Sequence, residues 1–305
     1  MKNKIIQILV FIIFMSLIFN SIIVTDELKN ALNIFFSTLF PSIFPFFLIS
    51  NLLIEYNFVY TLNKVFYNLI KKLFHSSNTS SFIIIMSMLS GFPSGSKYIK
   101  TMYNKNLLSL DEANYLITFT HFANPLFVLT VTRNIINNRL AIYILLSMYL
   151  SNIIIGIIIR PNHYIKENNI KINTNPNFSN ALSSSIKDSF NLLIIILGNT
   201  CFFFLVTRLI DYYLPLNNFS QTIVNGFFDI TKGINSIKYL SVNNTFKGIL
   251  VLTFIGFGGI NIHMQVKSII ADTKIKYINF LLGRICQVAI SSFLFILFKT
   301  YLGIY

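Results

Sequence analysis

SFIIIMSMLSGFPSGSKYIKTMYNK, residues 81–105, starts as lipid-compatible sequence and then breaks. Gly91, Pro93 and Gly95 fall within five residues, among Ser90, Ser94, Ser96 and Lys97. Proline removes a backbone donor, and each glycine costs a helix interior roughly 1 kcal/mol. Freed N–H and C=O groups cannot face hydrocarbon, so such a break is expected where it is buried in protein or lines a watery cavity. Glycine and proline interruptions at mid-depth point to the binding site of a transporter. A structural kink in a bundle helix is the alternative. A lysine inside the break and a second break in the other half of the chain argue for the site.

The composition fixes the solvent. Of 305 residues, 54% are hydrophobic and only 11% charged, and the mean hydropathy is +0.66. This indicates an all-α polytopic membrane protein of about 7–9 transmembrane helices. A net charge of +14 is read as basic loops meeting cytoplasm and anionic lipid, with no nucleic acid partner implied. Cys201 and Cys286 lie in apolar runs without metal-ligand spacing, so no metal, cofactor or disulfide framework is expected.

Outward from the break, the chain divides into four parts. Residues 1–27 hold an N-terminal transmembrane helix, Ile5 to Val24, with no small-residue cleavage site and its N-terminus expected in the cytoplasm. Residues 28–160 form a first repeat. It opens with a span from Ala31 to Ile54, interrupted by Pro41 and Pro45. Phe58 to Phe74 carries one apolar stripe (Phe58, Leu62, Val65, Phe66, Leu69, Ile70, Leu73) and reads as an interfacial amphipathic helix. Beyond the broken stretch, Ala113 to about Thr132 contains THFANP. There His121 and Asn124 share a face, and His121 either lines a site or hydrogen-bonds to a neighbouring helix. Leu140 to Ile159 is a further span. Residues 161–185 make a polar connection.

Residues 186–305 echo the first half. Ile186 to Ile210 answers Ala31 to Ile54, and a short element, Phe219 to Asn235, carries Asp229 between two glycines. A second break, FIGFGGINIHMQ at 254–265, supplies Gly256, Gly258, Gly259, Asn261, His263 and Gln265. Gly256-Phe257-Gly258-Gly259 is matched here to Gly91-Phe92-Pro93-Ser94. Ile278 to Phe298 ends the pattern. If the first broken element re-enters and returns, three crossings separate the matching spans and the halves form an inverted repeat. Lys267, Lys274, Lys276 and Arg284 fit that scheme poorly, which leaves the orientation of the second half open.

Taken together, SGFPSGSK, NPLF, GFFDITKG and GFGGINIHMQ resemble the sporulation integral membrane proteins of the YlbJ type. These group with the gate or nucleoside-recognition proteins, which are distantly similar to concentrative nucleoside transporters. The resemblance runs from about Leu28 to the C-terminus. Gate proteins usually carry Glu where this chain has Asp229. The resemblance implies a multi-pass protein of the outer forespore membrane that moves dipicolinic acid, an aromatic dicarboxylate, into the forespore.

The residues suit a small anionic substrate. Helix N-termini at two breaks supply partial positive charge and free N–H groups. Lys97 can add a full charge, or instead snorkel to lipid phosphate. Asp229 belongs either to the site or to the water boundary, paired with Lys232. The expected binding set is Gly91, Pro93, Ser94, Gly95, Ser96, Lys97, His121, Asn124, Asp229, Gly256, Gly258, Gly259, Asn261, His263 and Gln265. No catalytic residue is expected, since HExxH, GxSxG and clustered carboxylates are all lacking. A nucleoside-like solute and a non-transporting scaffold for spore maturation are the other readings, and assembly with further copies of the chain is left open.

Overall fold

The computed structural model describes residues 2–56, 58–163 and 177–301, and among them there are helices and no strand. Side chains 2, 3, 6, 9 and 59–64, including Leu62 of the amphipathic stripe, lie outside the description. So do 164–176, most of the polar connection.

The first span is shorter than expected and the second longer. Helix α1 (Lys2–Phe19) ends before Asn20, and α2 (Ser21–Ile34) starts at once, so Val24 belongs to the second helix. A π-helical turn, Phe35–Leu39, joins α2 to α3 (Phe40–Glu55) without a stop. Pro41 sits in the first turn of α3, where its missing donor costs little, and Pro45 lies inside. Helix α4 (Phe58–Phe74) divides its apolar stripe: Ile70 is buried, as is Phe74 beyond the stripe, while Val65, Phe66 and Leu69 stay exposed to lipid or interface.

Next comes a hairpin. Helices α5 (Asn78–Ser90) and α6 (Ser94–Asn104) pack on one another around Gly91-Phe92-Pro93, with a cis peptide at Pro93. Helix α7 (Leu110–Phe119) begins at the cap Ser109, with Asp111 and Glu112 in its first turn as the dipole favours. It breaks over Thr120–Asn124 and resumes as α8 (Pro125–Arg133). These two pieces continue in one direction alongside α9 (Asn138–Ile158): the Tyr115 hydroxyl near the start of α7 donates to the Gly156 carbonyl near the end of α9, at 2.8 Å.

The second half repeats this order. Helix α10 (Phe178–Tyr213) packs along α2 and α3. A second hairpin, α11 (Asn218–Phe228) and α12 (Ile230–Ile237), turns at Asp229. Helices α13 (Asn244–Phe257) and α14 (Gly259–Ile270) form an interrupted crossing that runs antiparallel to α15 (Tyr277–Tyr301). At one end Lys299 Nζ meets Thr245 Oγ1 at 2.5 Å, and at the other His263 Nδ1 meets the Tyr277 hydroxyl at 2.6 Å.

This order changes the internal match. The sequence aligns the break at Gly256–Gly259 with that at Gly91–Ser94, but the structure pairs them differently. The Gly91–Pro93 tip corresponds to the Asp229 tip, and the Gly258 break corresponds to Thr120–Asn124. Because α13–α14 continues across instead of returning, the α14–α15 turn lands beside hairpin 1. There Lys100 pairs with Asp272 at 2.7 Å and holds that carboxyl below its usual range, and the Lys276 N–H donates to Asn114 Oδ1 at 2.7 Å. Lys274 and Lys276 therefore join Lys105 at one end of the molecule. Five described helical stretches are long and apolar enough to cross a membrane: 21–55, 138–158, 178–213, 244–270 and 277–301.

Candidate functional site

Both hairpin tips and both helix breaks meet at one small cavity of about 40 Å³. Pro93, Asn124, Asp229, Asn261 and Gln265 line it, with Leu39 and Ile43 from α3 and Ile196 and Thr200 from α10 as apolar and hydroxyl walls.

The tips approach closely because glycine allows it. Gly91 has φ +77, and a Cβ there would stand 2.5 Å from the Asn124 backbone nitrogen. A Cβ on Gly95 would stand 2.5 Å from the Thr120 carbonyl oxygen. On the other side Gly258 is left-handed (φ +96), and Gly259 (φ +60) would bring a Cβ to 3.1 Å from the Phe228 carbonyl oxygen. Hairpin 1 is thereby seated on the α7–α8 break, and hairpin 2 on the α13–α14 break.

Four helices start at the cavity wall. Asn124 caps α8, its Oδ1 accepting from the Phe127 N–H at 3.1 Å. Asp229 caps α12, its Oδ1 accepting from the Thr231 and Lys232 N–H groups at 2.8 and 3.0 Å. The other Asp229 oxygen accepts from Asn261 Nδ2 at 2.6 Å, and Asn261 Oδ1 accepts from Gln265 Nε2 at 2.8 Å. Helices α6 and α14 begin at Pro93 and Gly258 with no side-chain cap. Two polar groups of the lining are buried and without a partner among the described residues: Asn124 Nδ2, a donor, and Gln265 Oε1, an acceptor.

The remaining expected residues scatter around this centre. Ser94 is buried near the Tyr98 hydroxyl, and Ser96 Oγ donates to the Pro93 carbonyl at 2.7 Å. His121 stands behind the wall, its ring parallel to Phe92 and edge-on to Phe280, with neither ring nitrogen bonded among the described residues. His263 and Gly256 face α15. Lys97 points away from the cavity to Asp188 at 3.8 Å, with both side chains substantially exposed. Lys232 forms its ion pair with Glu27, at 2.7 Å, and Asp229 receives only its backbone N–H.

Of the buried polar residues outside the expected set, Arg284 carries a full charge next to the α7 break. Arg284 on α15 is 1% exposed and donates to the carbonyls of Thr118 and His121, to Asn152 Oδ1 at 3.1 Å, and to Gln287. It holds the carbonyls freed where α7 ends, which a break inside a membrane requires. An arginine within an apolar span was itself the signal that could have found it.

Comparison with known proteins adds one observation. The chain is 25% identical over 313 residues to the sporulation integral membrane protein YlbJ of Bacillus subtilis (strain 168), covering 89% of this chain and 76% of that protein. The similarity supports the YlbJ-type family. No family model matches the chain, and no solved structure does. The YlbJ-type similarity spans both hairpins and both breaks, and with five long apolar helices the chain is a multi-pass membrane protein.

Proposed function

We propose that the chain is a transporter, acting in sporulation, that moves a small anionic metabolite across a membrane around the forespore. Dipicolinic acid, carried into the forespore through the outer forespore membrane, is the solute the YlbJ-type resemblance implies. The observation that carries this reading is the convergence of four helix N-termini on one buried cavity. Each N-terminus presents roughly half a positive charge, with part of the N–H groups already engaged: by Asn124 at α8, by Asp229 at α12 and by the Gly91 and Pro93 carbonyls at α6. Two of the four, at α6 and α14, have no side-chain cap. Asp229 does not cancel them outright, since one carboxylate charge stands against roughly half a positive charge from each of four helix N-termini.

At about 40 Å³ the cavity holds only a few waters. Passage of a solute therefore requires the hairpin tips to separate. The chemistry asked of the protein is positioning and release, with no bond made or broken, and the chain is read as a non-enzyme.

A neutral, nucleoside-like solute is the second reading. It is favoured by the free donor of Asn124 and the free acceptor of Gln265, and by the lack of a Lys or Arg in the lining. Deletion of the gene in a spore former without a second copy tests the role. Spores depleted of dipicolinate, formed by mother cells that still synthesise it, are expected. Normal core dipicolinate would overturn the reading.

A further inference from the structure

A second cavity, of about 510 Å³, lies on the far side of hairpin 2 between α2, α10 and α12. It shares Thr231 with the central cavity, so the hairpin 2 tip borders both. Its volume is in the range that holds a whole small metabolite. Arg208, Lys232 and Lys238 face it, against Glu27 and Asp211. Arg208 pairs with Asp211 at 3.1 Å and Lys232 with Glu27 at 2.7 Å, whereas Lys238 has no carboxylate partner among the described residues. One positive charge is left over, among several amide side chains.

The side of the membrane follows from the connections. Among the described residues, those at the end holding the α6–α7, α9–α10 and α14–α15 joins carry Lys105, Arg160, Lys274 and Lys276, with Lys71, Lys72, Lys100 and Lys267 in the helix turns beside them. Those at the vestibule end, α8–α9, α10–α11 and α12–α13, carry Lys238, with Arg133, Arg139 and Lys247 in the helix turns beside them, fewer than at the other end. Short loops rich in Lys and Arg stay in the cytoplasm. We infer that the larger cavity is a solute-binding vestibule on the extracytoplasmic side, taking a small organic anion before or after it passes the hairpin 2 tip. The side rests on charge placement; the occupant rests on the transport reading above.

Cysteine accessibility tests both. In a Cys201→Ala, Cys286→Ala background, Asn235→Cys reports on the vestibule and Lys274→Cys on the opposite end. In vegetative cells made to carry the protein in the plasma membrane, where the extracytoplasmic side faces the medium, a membrane-impermeant maleimide is expected to label Asn235→Cys on intact cells and Lys274→Cys only after permeabilisation. Dipicolinate is expected to suppress the labelling of Asn235→Cys. The reverse pattern overturns the assigned side, and failure of Asn235→Cys to react even after permeabilisation shows that no open vestibule exists. Outside labelling that dipicolinate leaves unchanged overturns the occupant. If reconstituted protein still takes up dipicolinate in that case, only this inference falls; if it does not, the transport reading falls with it.

Discussion

Hairpin 1 turns on Gly91, Phe92 and Pro93, which have no polar side chain, whereas hairpin 2 turns on Asp229, a buried carboxylate. The first tip is held by shape: its glycines let backbone meet backbone at Asn124 and Thr120. The second is held by hydrogen bonds, with Asp229 joining the start of α12 to Asn261 on α14. A tip fixed by packing tolerates no added volume but is indifferent to charge. A tip fixed by a carboxylate tolerates equal volume but not a changed donor pattern. The two tips should therefore fail under different substitutions.

Gly91→Ala should have the largest effect. Strain at φ +77 costs about 1–3 kcal/mol, and the clash with the Asn124 backbone adds to it. Thermal unfolding in detergent should show a large loss of stability or no folded protein. Gly198→Ala, with open space around its Cβ, should instead be neutral or gain up to roughly 1 kcal/mol. Equal behaviour of the two variants would end the claim that shape fixes the first tip.

Arg284 supports the same tip from behind, through the carbonyls of the α7 break. Arg284→Met should cost about 1–3 kcal/mol for each acceptor left unsatisfied. Arg284→Lys should recover only part, because a single ammonium cannot reach partners spread around a planar fork. Lys matching Arg in the same unfolding assay would show that charge alone matters there.

Hairpin 2 should answer to donor pattern. Asp229→Asn keeps the volume and the cap oxygen but sets an amide N–H₂ against that of Asn261. A loss of about 1–3 kcal/mol is expected. The double change Asp229→Asn with Asn261→Asp restores a donor facing an acceptor and should recover part of it. Additive losses in this double-mutant cycle would mean that the two side chains do not act as a pair.

The smallest effect belongs to Lys97. Its exposed contact with Asp188 should contribute no more than about 0.5 kcal/mol. Lys97→Met should leave both stability and uptake near wild type, and a strong transport defect would move the anion site toward hairpin 1.

What the sequence disclosed and what it hid have a common cause. The breaks at Gly91–Gly95 and Gly256–Gly259 were legible because glycine and proline interrupt apolar helices for reasons visible in the residues themselves. Whether the chain turns back or carries on after a break was not legible, since left-handed glycines serve both. Gly91 opens a hairpin turn and Gly258 an interrupted crossing, at φ +77 and +96 respectively. The difference lies in which helices pack together, and that misaligned the two halves. Asp229, Asn261 and Gln265 stood out as polar residues in apolar surroundings, but their hydrogen-bonded order depends on two elements 32 residues apart. The ion pair of Lys232 with Glu27, 205 residues away, left no mark in the chain.

Uptake of labelled dipicolinate into liposomes carrying the purified protein is the most direct test of transport through the gap between the hairpins. Wild type should accumulate label above protein-free liposomes, and Lys97→Met should match it. Asp229→Asn should be impaired at matched protein density, with partial rescue by Asn261→Asp. Wild-type liposomes that stay at the protein-free level, with folding verified by the same unfolding assay, would contradict the account.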